Sequence, residues 1–561
     1  MALNIPVGIS NFTEIRSNNY YYVDKTNLIY ELLQSPGTEV TMITRPRRFG
    51  KTLAMSMLES FFDIRKASKV LFEGLDIMSH QSLCEEWMNK WPVIFVSFRQ
   101  VDGLDFDSAC AMLSSVIAEL FNEHLYLLDD ERITEYQRKT FRNIAAGEAT
   151  QTELKNSLRL LTTLMNLYYD RQVILFIDEY DVPIAKANAG GYYRQMLDMM
   201  KGLMQALKDN CALKFAVVTG CLKIAKESIF TGTNNFVSDS VADSRLTEYF
   251  GFVQSEVDEI LKDADIFNQS ENIRKWYDGY HFGDVDVYCP WDVINHVDVL
   301  RSNPSAKPQA YWINTSGNAL VKLFIEMADK STRDELERLV AGEAIEKHIR
   351  LELTYDEIDS SIDNLWSVLF TTGYLTQKGV TEDGAYKLVI PNQEIREVYK
   401  LQIQEWFKKK VFADTEQLQS FWQAFAMGDS EAVELFLNRT LSNSISVFDA
   451  KGRDEERENS YHMLLVGLLA GKADWLVRSN VEAGEGFADI IVETDDLDDG
   501  VIVELKYAQT MTAMEKSCAK ALAQIRAKRY ADYLHNNGRE KVLLYGIAFC
   551  KKRCRVVAEK L

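Results

Sequence analysis

Apolar residues along the first 220 positions are gathered into short unbroken runs separated by long amphipathic stretches. Residues 40–44, 92–98, 173–178 and 213–218 are apolar without alternation, the pattern of strands buried on both faces. Between them, residues 51–62, 107–123, 152–169 and 192–207 place apolar side chains three and four apart, which predicts helices. Strands alternating with helices predict a parallel sheet covered by helices, an α/β fold.

Beyond about residue 255 the pattern changes to shorter helical stretches. Aromatic-rich connectors lie between them: Trp276-Tyr277-Asp278-Gly279-Tyr280-His281-Phe282 and Tyr288-Cys289-Pro290-Trp291. A small hairpin is expected from residues 373–376 and 385–391, joined by the turn Glu382-Asp383-Gly384. Helices follow to about residue 470. Then come two apolar strands, 487–492 and 501–506, linked by a short acidic hairpin, a helix over 513–534 and a strand over 541–549. A chain of 561 residues exceeds a single core. The expected division is residues 1–255, a helical middle portion over 256–400, and 401–561.

Within this frame, Thr44-Arg45-Pro46-Arg47-Arg48-Phe49-Gly50-Lys51-Thr52-Leu53 joins a buried strand to a helix. It reads as a phosphate-binding loop: inward N–H groups at a helix N-terminus cradle an anion, Lys51 reaches the terminal phosphates, and the Thr52 hydroxyl sits on Mg²⁺. The pattern departs from the general loop, because Arg45 holds the place of its first glycine. Arg47 and Arg48 suit anion binding and would equally anchor acidic side chains of the protein. Asp178, followed by Glu179, closes another buried strand. The first carboxylate suits the Mg²⁺ shell and the second the attacking water. Thr219 closes the next strand, where it can sense the γ-phosphate or cap a turn.

The two C-terminal apolar strands carry Asp489, Glu504 and Lys506. Two hard carboxylates can share a divalent cation, and Lys506, two residues from Glu504, lies on the same strand face. A surface ion pair on an edge strand would read the same, but charged residues standing between Val503 and Leu505 are costly unless a metal or phosphate meets them. Glu458, on the helix leading to His462, is a further metal candidate, and Gln524 a further catalytic one. His462 by itself reads as a packing or capping residue.

Net charge is −20, yet residues 506–561 hold 13 Lys and Arg against 4 Asp and Glu, a local +9 that suits phosphate contact. The eight cysteines are scattered without zinc spacing, as reduced thiols. The N-terminus has no basic region followed by an apolar run, and no apolar window approaches a membrane span, so a cytoplasmic protein without a membrane partner is expected.

The segments Tyr21-Tyr22-Val23-Asp24-Lys25-Thr26, Phe49-Gly50-Lys51-Thr52, Ile177-Asp178-Glu179-Tyr180-Asp181, Thr219-Gly220, Asn234-Asn235 and Trp276-Tyr277-Asp278-Gly279-Tyr280 resemble the bacterial AAA-ATPase-like family. Asp489, Glu504-Leu505-Lys506 and Gln524 resemble the PD-(D/E)XK nuclease domain that such proteins carry. The resemblance implies a P-loop NTPase sheet of the ASCE or STAND-like kind, a helical middle domain and a restriction-endonuclease-like α/β domain. It accounts for Arg45, which is usual there. It also implies a nucleotide near a subunit boundary, hence a homo-oligomer.

Together these readings expect an ATP-binding and ATP-hydrolysing protein with a Mg²⁺- or Mn²⁺-dependent DNA nuclease domain. Similar architectures suggest a role in defence against foreign DNA or with mobile elements. The competing reading is an ATP-driven switch whose nuclease-like domain binds nucleic acid or a partner without cutting.

Overall fold

The computed structural model describes residues 3–34, 37–223, 236–312, 318–358, 360–412, 415–442, 454–494 and 498–561. Asn234 and Asn235 lie outside the described residues. Two compact units emerge, Met1–Leu320 with Ala344–Glu397, and Val321–Glu343 with Val398–Leu561.

The first unit is built on five parallel strands: β1 (Val40–Thr44), β2 (Val93–Ser97), β3 (Val173–Asp178), β4 (Leu213–Gly220) and β5 (Phe236–Asp239). Their spatial order is β2-β3-β4-β1-β5. β4 therefore stands between the strand that feeds the phosphate loop and the strand that ends in Asp178. Every residue of β1 and β3 is buried, which explains why neither run alternates.

The helix Lys51–Phe62 follows β1 after the loop at residues 45–50. Its residues are mostly strong helix formers, and Gly50 enters it in the left-handed conformation at φ 81°. Ala54, Met57, Leu58, Phe61 and Phe62 are buried, and the Phe62 ring lies 6.2 Å from Phe176 of β3 and 5.6 Å from Phe215 of β4. The helices Phe106–Asn122, Gln151–Tyr169 and Tyr193–Leu203 fall close to their expected places.

The aromatic connectors are partly strand. β6 (Tyr280–Phe282) and β7 (Val285–Val287) form an antiparallel hairpin, and the helix Pro290–Ser302 follows with proline in its first turn. The later hairpin consists of β9 (Thr376–Val380) and β10 (Tyr386–Val389). A strand the sequence analysis did not anticipate, β8 (Ile345–Lys347), pairs antiparallel on the other side of β10.

In the second unit, β11 (Leu476–Ala483), β12 (Gly486–Glu493), β13 (Asp499–Tyr507), β14 (Lys541–Cys550) and β15 (Arg553–Lys560) form one sheet in chain order. Only β13 and β14 run parallel, and the helix Met514–Ala527 makes the crossover between them. The single helix expected over 513–534 is two: Arg529 adopts φ 54°, and Ala531–Asn536 resumes after buried Tyr530. No described helix is long and apolar enough to cross a membrane.

Candidate functional site

The loop after β1 is held from three sides. Arg48 and Gly50 both take left-handed backbone, φ 73° and 81°, which coils residues 46–50 into the helix start. The Lys51 ammonium donates to the carbonyls of Arg45 at 3.0 Å and Pro46 at 2.9 Å, closing the coil on itself. Beneath it lies an aromatic floor supplied by the connectors. The Phe49 ring meets Tyr280 and Phe282, each at 5.0 Å, and the Arg48 guanidinium sits 3.9 Å over Trp291.

Arg45, expected among the cradle residues, turns its side chain the other way. Fully buried, it donates to the carbonyls of Thr44 at 2.9 Å, Asp239 at 3.0 Å and Arg245 at 3.3 Å, between the rings of Phe250 and Phe282. Burial pulls its pKa down to about 10, against the pull of Asp239 and Asp243. The guanidinium is thus a brace under the loop rather than a phosphate ligand. Arg47, by contrast, is exposed and lines the cavity.

From the ends of β2 and β4 and the start of the Lys51–Phe62 helix, three hydroxyls converge on one carboxylate at the end of β3. Asp178 accepts from Thr52 at 3.0 Å, Ser97 at 3.2 Å and Thr219 at 2.6 Å. Burial raises its pKa, while the bond from Thr219 works in the opposite direction. Glu179 follows in left-handed backbone, φ 54°, and faces the cavity. Asp181 accepts the N–H groups of Cys221 and Leu222, and burial, then Glu179, push it up to about 6. Gly220 is required here: a Cβ would stand 2.6 Å from the Tyr180 ring and 2.7 Å from Asp181 Oδ1.

The cavity in front of this edge measures about 420 Å³, the size of a small-molecule site. Its lining combines cations, Lys25, Arg47, Arg48, Lys51, Arg99 and Lys186, with apolar and aromatic side chains such as Ile9, Tyr22, Tyr249 and Phe252. Such a combination fits a ligand that carries both phosphates and a flat ring.

In the second unit, Asp489 and Glu504 meet across β12 and β13. Asp489 Oδ2 accepts the Leu505 N–H at 2.7 Å, and Lys506 Nζ lies 2.9 Å from Glu504 Oε1 and 3.9 Å from Glu458 Oε1. Glu504 is 1% exposed, and its Oε2 has no hydrogen-bond partner. Burial, then the neighbouring Asp489 charge, push it up to about 7. From the helix Asp454–Ala470, Glu458 accepts the Tyr507 N–H at 3.1 Å. One turn further on, His462 bonds the Asp489 carbonyl at 2.9 Å. Gln524, on the Met514–Ala527 helix, is directed to the Tyr530 hydroxyl at 3.4 Å rather than to the carboxylates.

Comparison with known proteins supplies the family of both portions of the chain. Residues 6–230 match the AAA-ATPase-like family, described as predicted AAA-ATPase, and residues 456–559 match the PD-(D/E)XK nuclease superfamily. A relative from Azotobacter chroococcum mcd 1, an uncharacterized protein in the vnfD 5′ region, is 30% identical over 400 residues, 70% of this chain and 68% of its own. The chain belongs to the AAA-ATPase-like family and carries a PD-(D/E)XK domain. A solved chain, the ORC2 protein of Aeropyrum pernix in ADPNP–ADP complexes, shares 11% identity. It covers 71% of this chain and 96% of its own at a TM-score of 0.23, a likeness too low to carry weight.

In this AAA-ATPase-like protein both sites have the donor chemistry for a hard divalent cation. Thr52 and Asp178 bring oxygens together beside the cavity, and in the PD-(D/E)XK domain the orphaned Glu504 oxygen stands by a second carboxylate. Among the described residues, no group of three His, Cys, Asp or Glu is arranged to hold a metal. Water and phosphate oxygens would therefore complete either shell. Sequence reasoning missed Ser97 and Arg99. Their signal was available, since they stand at the end of the second apolar run and just beyond it, at the C-terminal edge where parallel sheets bind ligands.

Proposed function

We propose that this protein binds and hydrolyses ATP and that its PD-(D/E)XK domain cuts DNA in the presence of Mg²⁺ or Mn²⁺. In the ATPase half, Lys51 and Arg47 take the terminal phosphates, with the loop N–H groups of residues 48–52 around them. Thr52 and Asp178 hold the cation, Glu179 orients the attacking water, and Thr219 transmits the state of the phosphate to Asp178. In the nuclease half, Asp489 and Glu504 hold the metal, which supplies charge stabilisation at the phosphate. Lys506 steadies the negative charge that develops there, and Glu458 holds Lys506 in place. Defence against foreign DNA or traffic with mobile elements is the setting such a protein would serve, as a cytoplasmic homo-oligomer.

The observation that carries the nuclease reading is the Glu504 carboxylate. A fold that buries a carboxyl group, leaves one oxygen unpartnered and sets Asp489 beside it bears a cost that a cation removes. The test incubates the purified protein with plasmid, linear and single-stranded DNA, with and without ATP and metal. Metal-dependent cutting is expected. Intact DNA under every metal would end this reading and favour the switch reading, in which the domain binds nucleic acid or a partner without cutting. The closed Lys506–Glu504 pair favours that second reading, because it neutralises itself without substrate.

A further inference from the structure

Two features of the PD-(D/E)XK domain take no part in the chemistry just described. The first is a row of cations on the Met514–Ala527 helix and its cap. Lys516, Lys520 and Lys528 lie on one i, i+4 row with Gln524, and all three lysines are exposed. Among the described residues none of the three makes an ion pair, although the chain as a whole carries −20. At a rise of 1.5 Å per residue the row is about 18 Å long.

The second is Phe487, a residue 63% exposed. It precedes Asp489 by two positions on β12 and so shares its strand face. The two features adjoin. At the hairpin before Phe487, Glu485 N–H donates to the Lys528 carbonyl at 2.8 Å, and a Cβ on Gly486 would stand 3.6 Å from Lys528 Cδ.

The helix that carries the row also borders the acidic pair. Ile502, on the strand face of Glu504 and Lys506, packs in one cluster with Leu522 and Ile525 of this helix. Gly546, paired with Glu504 in register, lies against Cys518 and Leu522. The helix is thus the wall beside the carboxylates, its cationic row runs along the side turned to solvent, and an exposed ring stands at the row's Lys528 end.

We propose that a single nucleic-acid strand lies along Lys516, Lys520 and Lys528, and that an unpaired base stacks on Phe487 as its backbone reaches Asp489 and Glu504. The proposal deepens the nuclease reading and rests on it. Lysines spaced along a helix hold phosphates without regard to sequence, and an exposed aromatic holds a base only where that base is unstacked. The substrate class is accordingly single strands or frayed duplex ends, not closed duplex.

The test uses the full chain with Asp489→Ala to prevent cutting, without metal, and fluorescent oligothymidine or a closed hairpin duplex over a range of salt. Changing Lys516, Lys520 and Lys528 together to Gln should lower the slope of log affinity against log salt by about 2 on the single strand. Phe487→Ala should weaken single-strand binding about tenfold at unchanged slope, leave the duplex as it was, and be rescued by Phe487→Tyr. Lys541→Gln, in the same domain at the start of β14, should change neither. An unchanged slope in the triple variant, or equal effects of Phe487→Ala on both DNAs, would overturn the proposal while leaving the nuclease reading standing. Failure of the Asp489→Ala chain to bind either DNA would sink both.

Discussion

Thr219 Oγ1 stands 2.6 Å from Asp178 Oδ1, joining the C-terminal ends of two neighbouring strands through one short hydrogen bond. Because β4 also flanks β1, the threonine lies between the phosphate loop and the acidic edge. Thr219→Val removes the donor while keeping the volume. Nucleotide should still bind, and hydrolysis should fall about tenfold, with Thr219→Ser recovering most of it. Parental turnover in the valine variant would show the bond to be structural only.

Lys51→Ala should weaken ATP binding by two orders of magnitude or more. It removes a cation aimed at phosphate and also the two bonds that close the loop over Arg45 and Pro46. Glu179→Gln should retain binding and slow hydrolysis by about 10²–10⁴-fold. A fluorescent ATP analogue and phosphate release measure the two separately. Normal binding by Lys51→Ala would refute the loop assignment.

Arg45 and Arg47 should part company on mutation. Arg45→Ala strips three buried carbonyls of a donor and should cost about 3 kcal/mol of stability, seen as a lower urea midpoint. Exposed Arg47→Ala should leave that midpoint alone and reduce ATP affinity. The reverse pattern would mean that the roles drawn from their placement are interchanged.

Asp489→Ala and Glu504→Ala each remove a hard oxygen ligand, so cutting should fall by orders of magnitude while ATP binding persists. Lys506→Ala should retain metal binding, measured by calorimetry, and still lose efficient cutting. Cutting by Glu504→Ala at the parental rate would falsify the nuclease assignment.

The raised Glu504 carboxyl gives a pH signature. Its ordinary value is 4.5 and its folded value about 7, so the folded chain holds the proton that the unfolded chain has lost between those pH values. Without metal, stability should therefore fall as pH rises from about 4.5 to 7 and level off above, by at most about 3 kcal/mol. Glu504→Gln should flatten this dependence. Metal-free stability that does not change between pH 4.5 and 7 would contradict the assignment.

Much of the nucleotide edge is legible in the chain, because strands buried on both faces read as unbroken apolar runs and their last residues are the ones that face a ligand. The role of Arg45 is not, since a basic residue in a basic loop looks like a phosphate ligand until Asp239, Arg245 and Phe250 are brought under it from far along the chain. β11 escapes notice because its edge position leaves Arg478, Ser479 and Asn480 in solvent, and a polar run of that kind reads as loop. The break at Arg529 is hidden for another reason: neither glycine nor proline marks it, and the turn depends on burying Tyr530.

The loops at the nucleotide edge begin with their first amides already tied down. Arg45 N–H donates to the Gly220 carbonyl at 3.2 Å, Tyr180 N–H to Thr219 at 3.0 Å, and Phe98 N–H to Asp178 at 3.0 Å. Each strand thus hands its departing chain to the neighbouring strand, and the row of stitches runs across the sheet from β1 to β2. Whatever travels when nucleotide is exchanged must pivot beyond these stitches, in the outer reaches of the loops. In hydrogen exchange, the amides of Arg45, Phe98 and Tyr180 should be as slow as those of the strands themselves, a fixed sill on which a moving gate is hung.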